Sequence, residues 1–366
     1  MIKVLIVEDS RVVSEYLNYI LSSDPEIQIV GNVSNGRQAI EFLKKKKPDV
    51  ITMDIDMPIM DGLEATRIIM STTPVPIIIV TASRNAKEVS ISMEALAAGA
   101  LSVEEKPRGI GHPDEEFQAR KLIKIVKLMS EIKVVTRKFY MINKSESKLD
   151  VKISKHTIGD LNKKKIVVVG SSSGGPLVLQ KIFSKITQEF PYPILVVQHI
   201  AVGFIDGLIN WLRNTLLIPI QVATDNEVLK SGHIYFAPDH HQMGVSNSGK
   251  INLDKSDSYN GLCPSVAYLF KSVAEEYGKH AIGIILTGMG SDGANELKIL
   301  KDAGSITIAQ DKESSIVHGM PGVAIRLNAA NYIMNPVEIS DVLLNIEQYF
   351  TSINENLHEN ISKKGG

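Results

Sequence analysis

Short apolar runs of strand length alternate with amphipathic stretches of helical spacing along most of the chain, and the alternation occurs twice. Between Lys3 and about Pro107, the runs Val4–Val7, Val50–Met53 and Ile77–Val80 carry apolar residues at nearly every position, as strands of a parallel sheet covered on both faces do. Ile29–Val33 and Ala100–Val103 are weaker runs of the same kind. Arg11–Leu21, Gly36–Lys46, Leu63–Ser71 and Lys87–Ala98 have helical spacing. Five strand–helix pairs predict a doubly wound α/β domain, which an amphipathic stretch at Lys121–Met129 closes. From Ser130 to Lys165 the chain is rich in lysine and serine and lacks sustained periodicity, the composition of an exposed linker. The alternation then resumes with a β-branched run ending at Gly170. Further strands are expected at Pro193–Gln198, Ile234–Ala237, Ala281–Leu286 and Ser305–Ala309, so a second, larger α/β sheet follows. The expected division is a first domain over 1–125, a linker over 126–163, a second domain over 164–350 and a polar tail over 351–366.

Composition narrows the classes without choosing one. At ~150 residues per domain, 366 residues suit two domains. A formal net charge of −1 gives no nucleic-acid or polybasic membrane signature, and Lys163–Lys165 reads as a solvated run before a buried strand. Cys263 is the single cysteine, which excludes an intramolecular disulfide and a cysteine-based zinc cluster and reads as a small buried hydrophobe. No apolar run approaches the ~20 residues needed to span a bilayer, and Met1–Val7 is too brief for a signal-peptide core. A soluble, cytoplasmic protein is expected.

In a doubly wound sheet the site lies beyond the strands' carboxyl ends. In the first domain those ends carry Glu8 and Asp9, Asp54, Thr81 and Lys106. Clustered carboxylates repel one another unless a cation sits among them, and an oxygen-liganded Mg²⁺ is the natural one. A carboxylate beside Mg²⁺ can attack a phosphoryl donor while Thr81 and Lys106 hold the transferred oxygens. Singly, an aspartate after a strand more often just caps a helix; the coincidence of types at successive strand ends carries the reading. With Glu8-Asp9 before it and Glu105-Lys106-Pro107 after it, Asp54-Ile-Asp56-Met-Pro58-Ile-Met60-Asp61-Gly62 resembles the receiver domain of two-component response regulators. The resemblance implies a flavodoxin-like sheet of order 2-1-3-4-5 and phosphorylation of Asp54. It also implies Mg²⁺ held by Glu8, Asp9, Asp54 and the main-chain carbonyl of Asp56. Val103 stands where receivers usually carry an aromatic switch residue, which removes aromatic rotation as the readout.

The second domain opens on Gly170-Ser-Ser172-Ser-Gly174-Gly175-Pro176, a strand breaking into a tight turn and then a helix. Gly170-x-Ser172-x-Gly174 matches a nucleophile elbow, although such turns also serve packing or phosphate binding alone. A serine hydroxyl needs a base. His199 directly follows the next strand and can take and return the proton. Asp292, in the glycine-rich loop Thr287–Gly293, can fix the imidazole tautomer; its plainer role would be to cap the helix from Ala294. A dinucleotide site would need G-x-G-x-x-G and an acid after the following strand, where this chain has Gln198-His199. His240 and His241, in a polar loop after another strand, compete as bases, but His199 follows the strand adjacent to the serine turn; His241 is expected along the substrate groove.

These stretches, with Pro264-Ser265-Val266, Gln310-Asp311 and Gly319-Met320-Pro321, resemble the catalytic domain of the CheB family of chemotaxis protein-glutamate methylesterases. The resemblance implies Ser172 as nucleophile, His199 as base and acid and Asp292 as orienting carboxylate. Backbone N–H groups near Ser173 and Met289 become oxyanion candidates, and no cofactor is expected in this site. The substrates implied are glutamate methyl esters on methyl-accepting chemotaxis receptors, with deamidation of receptor glutamines as a second activity. A chemotaxis histidine kinase is implied as phosphoryl donor, with peripheral approach to membrane receptors and an intramolecular interface between receiver and catalytic domain that Asp54 controls. Ile200-Ala201-Val202 replaces the family's usual Met-Pro-Pro after the histidine, which bears on receptor docking. A phosphorylation-controlled binding protein without turnover is the alternative from another class. A DNA-binding regulator fits less well, because the output half is longer than a short helical reader.

Overall fold

The carboxyl ends of two parallel sheets organise the chain. In the computed structural model, which describes residues 1–82, 86–109, 111–113, 115–132, 134, 165–246, 248–255, 258–259 and 261–347, the chain divides between Lys164 and Lys165 into two units. The expected linker beyond 134 and the expected tail lie outside the described residues. Among the described residues, no helix is long and apolar enough to cross a membrane.

The first unit alternates β1 (Ile2–Val7), α1 (Arg11–Ser22), β2 (Ile27–Val33), α2 (Gly36–Leu43), β3 (Val50–Met53), α3 (Gly62–Thr72), β4 (Ile77–Thr81), α4 (Ala86–Ala98), β5 (Ser102–Glu105) and α5 (Glu115–Ser130). The sheet order is β2-β1-β3-β4-β5 and every pairing is parallel, the expected flavodoxin-like order. β3 and β4 are buried along their whole length, which explains their unbroken apolar sequence. Short polar side chains start the helices: Ser10, Asn35 and Asp61 accept hydrogen bonds from the N–H groups of Val13, Gln38 and Glu64, as N-caps do. The weaker runs are displaced from their expected bounds. β5 begins at Ser102 because Gly99, in a positive-φ conformation, turns the chain and Ala100 bonds back to Ala95. α5 begins six residues before Lys121 and runs five past 125, burying Val126 and Met129.

The second unit contains β6 (Ile166–Ser171), α6 (Gly175–Phe183), β7 (Ile194–Gln198), α7 (Ile205–Arg213), β8 (Ile220–Val222), β9 (Ile234–Phe236), β10 (Gln242–Val245), β11 (Ile251–Asp254), α8 (Val266–Tyr277), β12 (Ala281–Ile285), α9 (Ala294–Asp302), β13 (Ile306–Gln310), α10 (Met320–Arg326), β14 (Tyr332–Met334) and α11 (Pro336–Leu344). Its main sheet runs β14-β13-β12-β6-β7-β9-β8, all parallel. β8 and β14, each three residues long, and the antiparallel β10–β11 hairpin were not expected from periodicity. The hairpin packs with α8 in one core that includes Met243, Val245, Ile251, Leu269 and Phe270. Cys263 is only half buried, contrary to the expected core position; burial and the nearby Asp254 push its thiol pKa up.

Ile59, in the loop between β3 and α3, has φ 72° and is 74% exposed. A β-branched residue in the left-handed region costs roughly 1–2 kcal/mol, and exposure returns little packing. Ile59→Gly is therefore expected to stabilise the first unit by about 1 kcal/mol, after the glycine's extra unfolded-state entropy is subtracted. Urea unfolding of the full chain, followed through the first unit's transition, measures it.

Candidate active site

The strand order of the second sheet reverses at β6: the chain leaves it for β7 on one side and returns to β12 on the other. Ligand sites in open α/β sheets form at such a switch point. Ser172 is the first residue beyond β6. Its N–H donates to the Thr287 carbonyl (3.0 Å), just beyond β12, and the His199 N–H donates to the Ser171 carbonyl (2.8 Å). The sheet thus brings the serine turn, the histidine and the Thr287–Gly293 loop to one end. Gly288 packs so closely that a Cβ there would lie 2.7 Å from Ser172 Cβ, and glycine at this position lets the two loops meet.

His199 Nε2 is buried 3.0 Å from Asp292 Oδ2, close but not aligned as a straight hydrogen bond. Asp292 is held from its other side: Oδ1 accepts from Ser265 Oγ (2.9 Å) and the Ala267 N–H (3.1 Å), and Oδ2 from the Val266 N–H (2.7 Å). The plainer alternative, capping of the helix from Ala294, is not what this side chain does. α9 has Gly293 as its N-cap, without a side-chain cap, and Asp292 instead supplies negative charge to the N-terminus of α8, where unsatisfied N–H groups and the helix dipole favour it. Burial alone would raise the Asp292 carboxyl, but His199, Val266 and Ser265 outweigh burial and hold its pKa below the ordinary value.

Among the described residues, the Ser172 hydroxyl makes no hydrogen bond, and the N–H groups of Ser173 and Met289 donate none. Because Nε2 faces Asp292, Nδ1 is the ring nitrogen left to serve Ser172. His241 Nδ1 is paired with the Asp239 carbonyl (2.8 Å) and His240 is exposed; neither is linked to Asp292 among the described residues. Asp239 also accepts from the Gly203 N–H (2.7 Å), which fastens the loop carrying Ile200-Ala201-Val202. Periodicity did not single out Ser265 or Gln310 as supports. Gln310 Oε1 accepts from the Thr287 N–H (2.8 Å) while Thr287 Oγ1 reaches the Ser173 carbonyl (2.9 Å). The one sequence signal for both supports was their place in the quoted stretches.

In the first unit, ligand oxygens of Glu8, Asp9 and Asp54 lie within 4.8 Å of one another. Lys106 Nζ is 2.8 Å from both Glu8 Oε2 and Asp54 Oδ2, and Thr81 is buried at the end of β4. Asp56 is exposed, outside the carboxylate cluster. Burial raises Glu8 and Asp54 above their ordinary values against the pull of Lys106, with repulsion from a neighbouring carboxylate adding to each. Lys106 shows the converse: burial lowers it, but two carboxylates outweigh this and its pKa rises. One ammonium pairs with two of the three clustered acids, Glu8 and Asp54, so the cluster is undercompensated. A hard all-oxygen donor set with excess negative charge fits Mg²⁺. Val103, in β5, is half buried.

The CheB methylesterase model matches residues 167–343 and the response regulator receiver domain model residues 4–111. A protein-glutamate methylesterase/protein-glutamine glutaminase of Nitrosospira multiformis is 49% identical over 94% of this chain and 97% of its own length. A second protein of that name, from Syntrophus aciditrophicus, is 49% identical over 94% and 98%. The crystal structure of the Thermotoga maritima CheB methylesterase catalytic domain has 38% identity and a TM-score of 0.48, covering 50% of this chain and 99% of its own. The chain belongs to the CheB family of protein-glutamate methylesterases/protein-glutamine glutaminases, with a response regulator receiver domain at its N-terminus.

Proposed function

We propose that this chain is a phosphorylation-controlled serine hydrolase that removes methyl groups from glutamate side chains of chemoreceptors and deamidates receptor glutamines in chemotactic adaptation. The observation that carries the reading is the His199–Asp292 pair, 3.0 Å apart, at the switch point where the Ser172 turn leaves β6. His199 Nδ1 takes the Ser172 proton as Oγ attacks the ester carbonyl carbon. The N–H groups of Ser173 and Met289 receive the resulting oxyanion; losing one such donor typically costs ~3 kcal/mol of transition-state stabilisation. His199 returns the proton to the departing methoxide, releasing methanol and leaving an acyl-serine. His199 then deprotonates a water that attacks the acyl carbon, and returns that proton to Ser172 Oγ as the acyl–oxygen bond breaks and the glutamate is freed. With glutamine the leaving group is ammonia and the second half is the same. Asp292 stays ionised and stabilises the imidazolium.

In the receiver, an Asp54 carboxylate oxygen forms a bond to phosphorus as the bond to the kinase's histidine breaks. Lys106 and Thr81 take up the phosphoryl oxygens. Glu8, Asp9, Asp54 and the Asp56 carbonyl would hold Mg²⁺, which supplies charge neutralisation when bound. Phosphorylated Asp54 carries added charge that biases the arrangement of the two domains, and the histidine kinase and chemoreceptors are the partners this requires. Rotation of an aromatic at the Val103 position has no part in it.

Methanol release from methylated receptor membranes tests the reading. Ser172→Ala should lower it on the order of 10³-fold or more. A small phosphoryl donor with Mg²⁺ should stimulate the wild type and leave Asp54→Asn unstimulated. Undiminished release by Ser172→Ala would overturn the nucleophile assignment, and receptor binding without release by the wild type would favour the binding-protein reading. Asp292→Asn should reduce kcat on the order of 10³–10⁴-fold. It should also flatten the acid limb of the catalytic domain's stability. A lowered carboxyl pKa contributes stability that is present above the ordinary value of 3.8 and is withdrawn as pH falls below it, so wild type and variant should converge in strong acid. Thermal unfolding across that range measures the difference.

A further inference from the structure

The last paired residues of β6 and β7 are Ser171 and Gln198, and the two residues that matter for chemistry, Ser172 and His199, lie one step beyond. The His199 N–H to Ser171 carbonyl bond (2.8 Å) closes the ladder. Past that point no strand pairing holds the two backbones together.

We propose that Gln198 is the positioning residue that continues the sheet's grip to the nucleophile and the base. Its side chain is 4% exposed. Nε2 donates to the carbonyl of Ser172 (2.9 Å) and to the carbonyl of His199 (2.8 Å), while Oε1 accepts from Ser171 Oγ (2.6 Å). Both amide hydrogens and one acceptor position are used, on the three residues whose spacing sets the site. The orientation of the amide is fixed by its surroundings, because the reverse placement would turn its oxygen toward two carbonyl oxygens. Ser171 is fully buried, so its hydroxyl serves this amide and takes no part in the open site.

Gly175 gives an independent sign of the same device. A Cβ at this position would lie 2.2 Å from Gln198 Oε1 and 2.9 Å from Ser171 Cβ. Within the first turn of α6, alanine would ordinarily favour the helix, yet the space it needs is taken by the Gln198–Ser171 pair. The glycine keeps room for the amide.

The inference rests on Ser172 and His199 being nucleophile and base. Gln198 does not touch the reacting atoms; it sets the distance between the residues that do, and a misplacement of about 1 Å there can cost on the order of 10²-fold in rate. The test uses the full chain, phosphorylated through Asp54, with methylated receptor membranes as substrate. Gln198→Met keeps the side chain's length without its donors. Gly175→Ala leaves Gln198 in place but displaces its amide. Both variants are expected to lower kcat about 10²-fold with KM within twofold of wild type. Both should also slow covalent labelling of Ser172 by a fluorophosphonate, while the catalytic domain's thermal transition is retained. Should Gln198→Met fail to fold, Gly175→Ala decides. A folded variant with kcat and labelling rate unchanged, or with kcat lost only in proportion to a lowered folded fraction, overturns the proposal. Ser172→Ala is run beside them: full activity there removes the underlying reading as well, whereas loss there with unchanged kcat in the other two removes this inference alone.

Discussion

Hydrogen bonding between the end of β6 and the ends of both its neighbours is the constraint on which the catalytic domain depends. The register sets Gly170 opposite Val197 on one side and Ile285 on the other. Three strands therefore finish together, and the residues that follow them meet. Main-chain bonds tie Ser172 to Thr287 and His199 to Ser171. A one-residue slip in a parallel pairing would invert the faces of a strand buried on both sides, so the hydrophobic core that fixes register also fixes the spacing of the site. Catalytic geometry is here a by-product of sheet geometry, refined by a few buried polar groups.

Those polar groups solve a specific problem. Loops beyond strand ends carry N–H and C=O groups that no ladder satisfies, and burying them unpaired is costly. Gln198, Gln242, Gln310 and Thr287 are all buried, and each bonds main-chain groups of these loops: Gln242 holds Ser265 and Leu262, and Gln310 holds Thr287 and Ser314. The domain uses amides where a helix or strand would otherwise supply partners. A satisfied network of this kind rigidifies the loops it joins, which preorganises the turn around Ser172.

The legible part of the site was the part written in local sequence. A serine between glycines after a buried run, or a histidine directly after a strand, declares its place at a sheet's carboxyl end, because strand and turn signals are short-range. The acids around Asp54 were legible in the same way. What Asp292 does besides facing His199 was not. Its bonds to the N-terminus of α8, whose N-cap is Ser265, join it to residues 25 to 27 positions earlier, and no local pattern distinguishes that from capping the helix just ahead. The β10–β11 hairpin, β8 and β14 were also hidden: their runs of three or four residues are too short for periodicity to separate from loops. β5 was displaced because Ala100, although apolar and buried, bonds back to Ala95 in the turn after α4 instead of to β4.

The two carboxylates at the centre of the two domains show how similar burial can serve opposite ends. The side chains of Asp54 and Asp292 are each 5% exposed, so desolvation pushes both toward the neutral form. Asp292 meets that push with two main-chain N–H groups, a serine hydroxyl and an imidazole, and its pKa falls. Asp54 has one N–H, from Ile55, and a lysine that it shares with Glu8, and its pKa rises. A carboxylate that must remain charged beside a histidine has to be oversupplied with donors. In the proposed phosphoacceptor role, a carboxylate with fewer donors keeps lone pairs open to a cation and stays a better nucleophile. The donor count around each aspartate, more than its burial, distinguishes the two sites and accords with the orienting role proposed for Asp292 and the phosphoacceptor role proposed for Asp54.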